Sequence, residues 1–95
     1  MAKEYVEFRD GGYYLAGSRV SLESVVYGYL RGEEPEEIAG SFPDISAEEV
    51  FGAIAFYLAN RAAIDEYLEQ EKAEFVRLRD DARRANPALY ARLTA

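Results

Sequence analysis

Ser46-Ala47-Glu48-Glu49-Val50-Phe51-Gly52-Ala53-Ile54-Ala55-Phe56-Tyr57-Leu58-Ala59-Asn60-Arg61-Ala62-Ala63 is the stretch to which the rest of this chain must answer. It opens with a capping box, in which Ser46 accepts from the Glu49 N–H and Glu49 reaches back to the Ser46 N–H. Glu48 and Glu49 suit the positive end of a helix dipole. From Ala53 to Ala59 the helix is apolar on every side. A surface helix carries one apolar stripe, so a helix apolar all round needs cover all round. A chain of 95 residues can cover one side with its own core; the other side needs a further partner. Asn60 and Arg61 end the run well short of the ~20 apolar residues that span a membrane.

Composition narrows the rest. The length fits one small domain, with room for a tail. The chain has no cysteine and no histidine. Disulfides, thiolate nucleophiles and the commonest general base and transition-metal ligand are therefore absent. No basic-plus-apolar leader opens the chain, and we expect a cytoplasmic protein with no membrane segment. Net charge is −7, with 11 basic and 18 acidic residues. The balance is uneven: within residues 75–95, Arg77, Arg79, Arg83, Arg84 and Arg92 stand against Asp80 and Asp81, for a local +3. An acidic protein is a poor non-specific nucleic-acid binder, so any DNA contact must be local. The basic end suits an acidic partner surface.

In chain order, Glu4 to Phe8 alternates weakly, as a strand does. Asp10-Gly11 and Gly11-Gly12 supply the positive φ of a hairpin loop, and Tyr13 to Leu15 resumes as a second strand. A lone hairpin is marginal in water, so its edges predict pairing, most simply with the hairpin of a second subunit. Ser21 caps a first helix from Leu22 to about Arg31, with Val25, Val26, Tyr29 and Leu30 on its apolar face. Gly32 is the expected C′ residue. Pro35 begins a short second helix anchored by Ile38. The Ser46 stretch is the third. An amphipathic helix with Ile64, Leu68, Phe75 and Leu78 follows to about Ala85, where Asn86-Pro87 breaks it. Ala88 to Leu93 is a last short apolar-basic segment. The expected fold is thus mostly α: a β-hairpin, a tri-helical helix-turn-helix-like domain and a C-terminal helical arm. The expected division is 1–69 for the hairpin and dimerisation domain and 70–95 for the arm, which has too little core of its own and orders on a partner.

Three short helices in helix-turn-helix order can point to DNA, with the third in the major groove, but more often mean a plain helical bundle, and the carboxylates that open the third helix cut against a DNA role. Arg19, Arg31 and Arg61 are the basic residues placed to flank a DNA site. Glu33, Glu34, Glu36 and Glu37 surround one exposed helix start, where acids are favoured in any case, so no metal site is expected. The tyrosines read as core and interface residues with a polar tip. Tyr5, Val6, Tyr14, Phe56 and Ala59 are the candidate dimer contacts. There is no Ser-His-Asp set, phosphate loop or metal-ligand spacing. We expect neither an enzyme nor a cofactor.

Gly17-Ser18-Arg19-Val20, Gly32-Glu33-Glu34-Pro35-Glu36-Glu37-Ile38 and Phe42-Pro43-Asp44-Ile45-Ser46-Ala47-Glu48-Glu49-Val50, with Ala53 and Tyr57 beyond, form an ordered set. In these motifs residues 11–60 resemble the bacterial and archaeal domain-of-unknown-function family numbered 433. The resemblance implies a homodimeric, helix-turn-helix-like protein similar to the antitoxins of type II toxin–antitoxin pairs, often encoded beside a PIN-like ribonuclease toxin. By that analogy the folded part binds operator DNA and the arm wraps the toxin. Such nucleases hold Mg²⁺ with clustered carboxylates, which a guanidinium pairs bidentately. The implied toxin-binding residues are Phe75, Leu78, Arg83, Arg84, Leu89, Tyr90 and Arg92.

Overall fold

The structure is a computed structural model that describes residues 3–94. Its first element follows from a two-residue turn. Asp10 (φ 51°) and Gly11 (φ 79°) both take positive φ, as a type I′ hairpin turn requires. Strands β1 (Val6–Arg9) and β2 (Gly12–Leu15) therefore pair antiparallel, with Val6 opposite Leu15 and Arg9 opposite Gly12. Leu15 is fully buried. The next turn is closed by one hydroxyl: Ser18 Oγ donates to the Leu15 carbonyl at 2.9 Å and accepts from the Val20 N–H at 3.1 Å. Leu15 N–H donates to the Val20 carbonyl at 2.9 Å, which delivers Val20 to the core.

Ser21 caps α1 (Leu22–Leu30), its Oγ accepting from the Ser24 N–H at 3.3 Å. Leu22, Val25 and Val26 are buried, but Leu30, expected on the apolar face, is 49% exposed. At ~100° per residue, a stripe through Leu22, Val25, Val26 and Tyr29 turns Leu30 away from the core. The helix stops in a Schellman motif. Gly32 N–H bonds the Tyr29 carbonyl and Glu33 N–H the Gly28 carbonyl, at 3.0 and 3.1 Å, with Gly32 at φ 91°, where glycine carries no Cβ penalty.

Pro35 opens α2 (Pro35–Gly40), and the Glu37 carboxylate accepts from the Glu34 N–H at 3.1 Å. Ile38 is 1% exposed. It packs where α1 offers Gly28; a Cβ there would lie 3.1 Å from Ile38 Cγ1. The expected capping box opens α3 (Ala47–Ala59): Ser46 Oγ accepts from Glu49 N–H at 3.2 Å, and Glu49 Oε1 accepts from Ser46 N–H at 3.1 Å. Val50, Ala53, Ile54 and Tyr57 are its buried residues. The helix packs on α1, α2 and β1.

Asn60 ends α3, its side-chain amide donating to the Phe56 carbonyl at 2.9 Å. Helix α4 (Arg61–Ala85) follows, then α5 (Pro87–Thr94) after the Asn86-Pro87 break. The chain forms two compact units that divide after Arg61. In the second, Ile64 and Leu68 are buried and every residue from Glu69 to Arg79 is exposed. Among the described residues, no helix is long and apolar enough to cross a membrane.

Candidate functional site

The first unit carries an apolar groove of about 560 Å³. One wall is the N-terminal segment and β1 (Lys3 to Phe8) with Tyr13; the other is α3, through Gly52, Ala55 and Phe56. Strand alternation places Val6 and Phe8 on one face and Glu7 and Arg9 on the other. Phe8 is 61% exposed and meets Tyr13 edge to face at 4.9 Å; Tyr13 lies 6.0 Å from Phe56. Of the expected dimer contacts, Val6 and Phe56 line this groove and Ala59 is exposed. Tyr14 lies on the other face of the hairpin, under the Arg9 guanidinium at 4.3 Å. That guanidinium also binds the Glu7 carboxylate and the Ser18 carbonyl.

Tyr5 has an intramolecular role. Its ring lies so close to Gly52 that a Cβ there would be 2.1 Å from a ring carbon. Its hydroxyl donates to Glu48 Oε2 at 2.5 Å, and Lys3 Nζ pairs with the same oxygen at 3.0 Å. The hydrogen bond from Tyr5, then that from Lys3, holds the Glu48 carboxyl below the usual carboxylate range. In return Glu48 raises the Tyr5 phenol and the Lys3 ammonium. Residues 3–5 thus clasp the first turns of α3. Sequence reasoning missed the clasp, although Gly52 inside an otherwise strong helix pattern was a usable signal of close backbone approach.

The three basic residues assigned to DNA come from three different places in the chain: before α1, after α1 and at the start of α4. Arg19 precedes α1 and Arg31 follows it, so they stand at its opposite ends. Arg19 is exposed. Arg31 pairs with Glu33 at 2.8 Å. The Arg61 guanidinium sits 5.5 Å from the Tyr57 ring centroid. A separate depression beside the Gly17 turn gathers Arg9, Gly17, Ser18, Arg19 and Asp44. Among the acids, Glu33 is thus ion-paired and Glu37 serves the α2 cap. No group of three or more metal-ligating side chains converges among the described residues.

In the second unit Phe75, Leu78, Leu89 and Leu93 are 65, 54, 42 and 75% exposed. Leu89 and Leu93 share one face of α5 with Arg92, at i, i+4 and i+3. The arginines differ in their company. Arg77 binds Glu74 and, at 3.0 Å, Asp81; Arg84 binds Asp81; and Arg79 lies 3.9 Å from Asp80. The bond from Arg77 holds the Glu74 carboxyl down, and Glu74 raises Arg77 in turn. Arg83 also has a partner within the chain. Arg92 is exposed. The side chain of Tyr90 lies outside the described residues.

A hairpin, three short packed helices and a helical C-terminal segment define a small, mostly α protein of helix-turn-helix-like build. By sequence the chain belongs to the family described as "Protein of unknown function (DUF433)", whose pattern matches residues 7–57. The matched span runs from β1 to Tyr57 and takes in the Gly17 turn, the Gly32 Schellman motif and the N-caps of α1, α2 and α3, but none of the arm. Searches of the curated proteins and of the solved structures found no match.

Proposed function

We propose that this chain is an antitoxin-like protein of the cytoplasm, whose C-terminal arm binds and neutralises a PIN-like ribonuclease. The observation that carries the reading is the arm itself. Its helices present Phe75, Leu78, Leu89 and Leu93 to solvent beside Arg83, Arg84 and Arg92. Exposed apolar anchors spaced along a helix are what a helix-in-groove contact uses. A guanidinium beside them suits a carboxylate-lined nuclease centre. The folded unit acts as a homodimer, with the groove between β1 and α3 as its contact, and represses its own operon by holding operator DNA near Arg19, Arg31 and Arg61.

The test is inhibition of RNA cleavage by any PIN-like nuclease whose gene lies beside the one for this chain. Wild type should abolish cleavage at a stoichiometric ratio, and Phe75→Asp with Leu78→Asp should lose at least tenfold in potency. Undiminished cleavage in excess wild-type chain would end the antitoxin reading.

A second reading, a dimeric interaction module with no DNA role, has its own support. The clasp of Lys3 and Tyr5 occupies the first turns of α3, and Arg31 is committed to Glu33. A band shift on the DNA upstream of the gene separates the two. Binding that weakens steeply with salt favours repression; no shift at low salt favours the module.

A further inference from the structure

A two-stranded sheet leaves each strand with one unpaired edge. In β2 that edge is used within the chain: Leu15 N–H bonds the Val20 carbonyl at 2.9 Å, and Tyr14 bridges Ser21. In β1 it is open. The Ala16 N–H donates to the Tyr5 carbonyl at 2.9 Å, which fixes the phase of the ladder. With Glu7 opposite Tyr14, antiparallel alternation turns the backbone groups of Tyr5, Glu7 and Arg9 toward β2 and those of Val6 and Phe8 outward. This open edge is also the rim of the apolar groove whose far wall is Gly52, Ala55 and Phe56.

We propose that this edge pairs with β1 of a second copy, antiparallel about a two-fold axis at Glu7, so that two hairpins become one four-stranded sheet. The proposal gives the homodimer reading above its geometry and rests on that reading. Three features favour a second copy over an unrelated strand. The two outward-facing residues flank Glu7, so Val6 and Phe8 of the partner subunit can exchange both backbone hydrogen bonds, and the symmetric pair repeats them. On the groove face each Phe8 then meets a Val6, a favoured aromatic-against-β-branched pair, and the 61% exposed Phe8 ring is covered. On the other face the strands bring together one Glu7 and one Arg9 from each copy. Each Glu7 is already bonded to its own Arg9, and its diagonal neighbour is Arg9 of the partner subunit. The cluster therefore carries no net charge, and the facing carboxylates are each flanked by guanidinium groups.

The absence of cysteine makes the axis directly testable. Opposed residues of a non-hydrogen-bonded antiparallel pair have Cα atoms about 4.5 Å apart, within reach of a disulfide. Glu7→Cys should therefore link two full-length chains covalently under mild oxidation in dilute solution. Glu4→Cys, displaced by three residues on each strand and so about 20 Å from its mate, should stay unlinked. A second variant, Val6→Pro, removes only an outward N–H and leaves the hairpin ladder whole. It should halve the light-scattering mass while keeping the helical circular dichroism of wild type. If the wild-type chain is a dimer but Glu7→Cys stays unlinked, or folded Val6→Pro keeps the dimer mass, the β1 pairing is wrong and the homodimer reading survives with another interface. If Val6→Pro unfolds, the cross-linking result alone decides. A monomeric wild type would overturn both.

Discussion

Helices α3 and α4 both carry apolar residues three and four apart, yet they are held in different ways. In α3, Val50, Ala53, Ile54 and Tyr57 are buried in the three-helix core. In α4 the row begins with buried Ile64 and Leu68 and runs on to Phe75 and Leu78, which are 65 and 54% exposed. Beyond Leu68 the helix rests on local support: strong helix formers, and ion pairs three and four residues apart around Arg77 and Asp81. Such pairs add only a few tenths of a kcal/mol each to an isolated helix, and short isolated helices are marginal in water. The contrast teaches that one apolar spacing can serve two ends. Where the chain covers it, it builds a core; where the chain leaves it bare, it stays open to solvent.

The sharpest way to break this contrast is to truncate one residue on each helix. Ile54→Ala, at a site 7% exposed, should cost about 2–5 kcal/mol in urea unfolding. Leu78→Ala should stay within about 0.5 kcal/mol, as exposed substitutions do. Equal losses would mean that the arm is packed as firmly as the core.

A smaller effect is expected at Gly52. A Cβ there meets the Tyr5 ring at 2.1 Å, so Gly52→Ala should cost about 1–3 kcal/mol, although alanine is the better helix former by about 1 kcal/mol. In a Tyr5→Ala background the same substitution should become neutral or stabilising. A loss that persists there would show that Tyr5 is not the obstacle.

The hairpin turn, the caps at Ser21 and Ser46, the Gly32 stop and the Pro87 break were all legible in the sequence, because each is encoded within a few residues. The clasp was not. Tyr5 and Glu48 lie 43 positions apart, and no local pattern joins them. Helix α3 reads as apolar all round, which hid the side it buries: Ile54 and Tyr57 face in, while Phe51 and Leu58 are 52 and 46% exposed. The arm's net positive charge was plain. That Arg77, Arg79 and Arg84 lie beside acids of their own helix needed the three-dimensional spacing.

The clasp also has a pH signature. The Glu48 carboxyl is held low by Tyr5 and then Lys3. Its contribution is therefore present above the ordinary carboxylate pKa of about 4.3 and lost as pH falls through its lower folded value. Tyr5 and Lys3 are raised, so their share persists below their ordinary values and is lost as pH rises through the higher ones. The stability difference between wild type and Glu48→Gln should thus be constant near neutrality and close in acid. A difference independent of pH would contradict the clasp.

The smallest effect is expected in the arm. Arg77→Ala should lower helical circular dichroism slightly at low salt, with the deficit shrinking as salt screens the pairs, and should leave the unfolding midpoint of residues 1–61 unchanged. A shifted midpoint would mean that the arm helps to hold the folded unit.

The most direct test of a covered core and an uncovered arm is residue-resolved amide exchange on the full chain, alone and with the proposed PIN-like nuclease partner. Exchange should be slow from Val50 to Tyr57 in both samples, and fast over residues 70–94 until the nuclease is added. An arm protected as strongly as α3 without any partner, or one whose exchange the nuclease leaves unchanged, would contradict it.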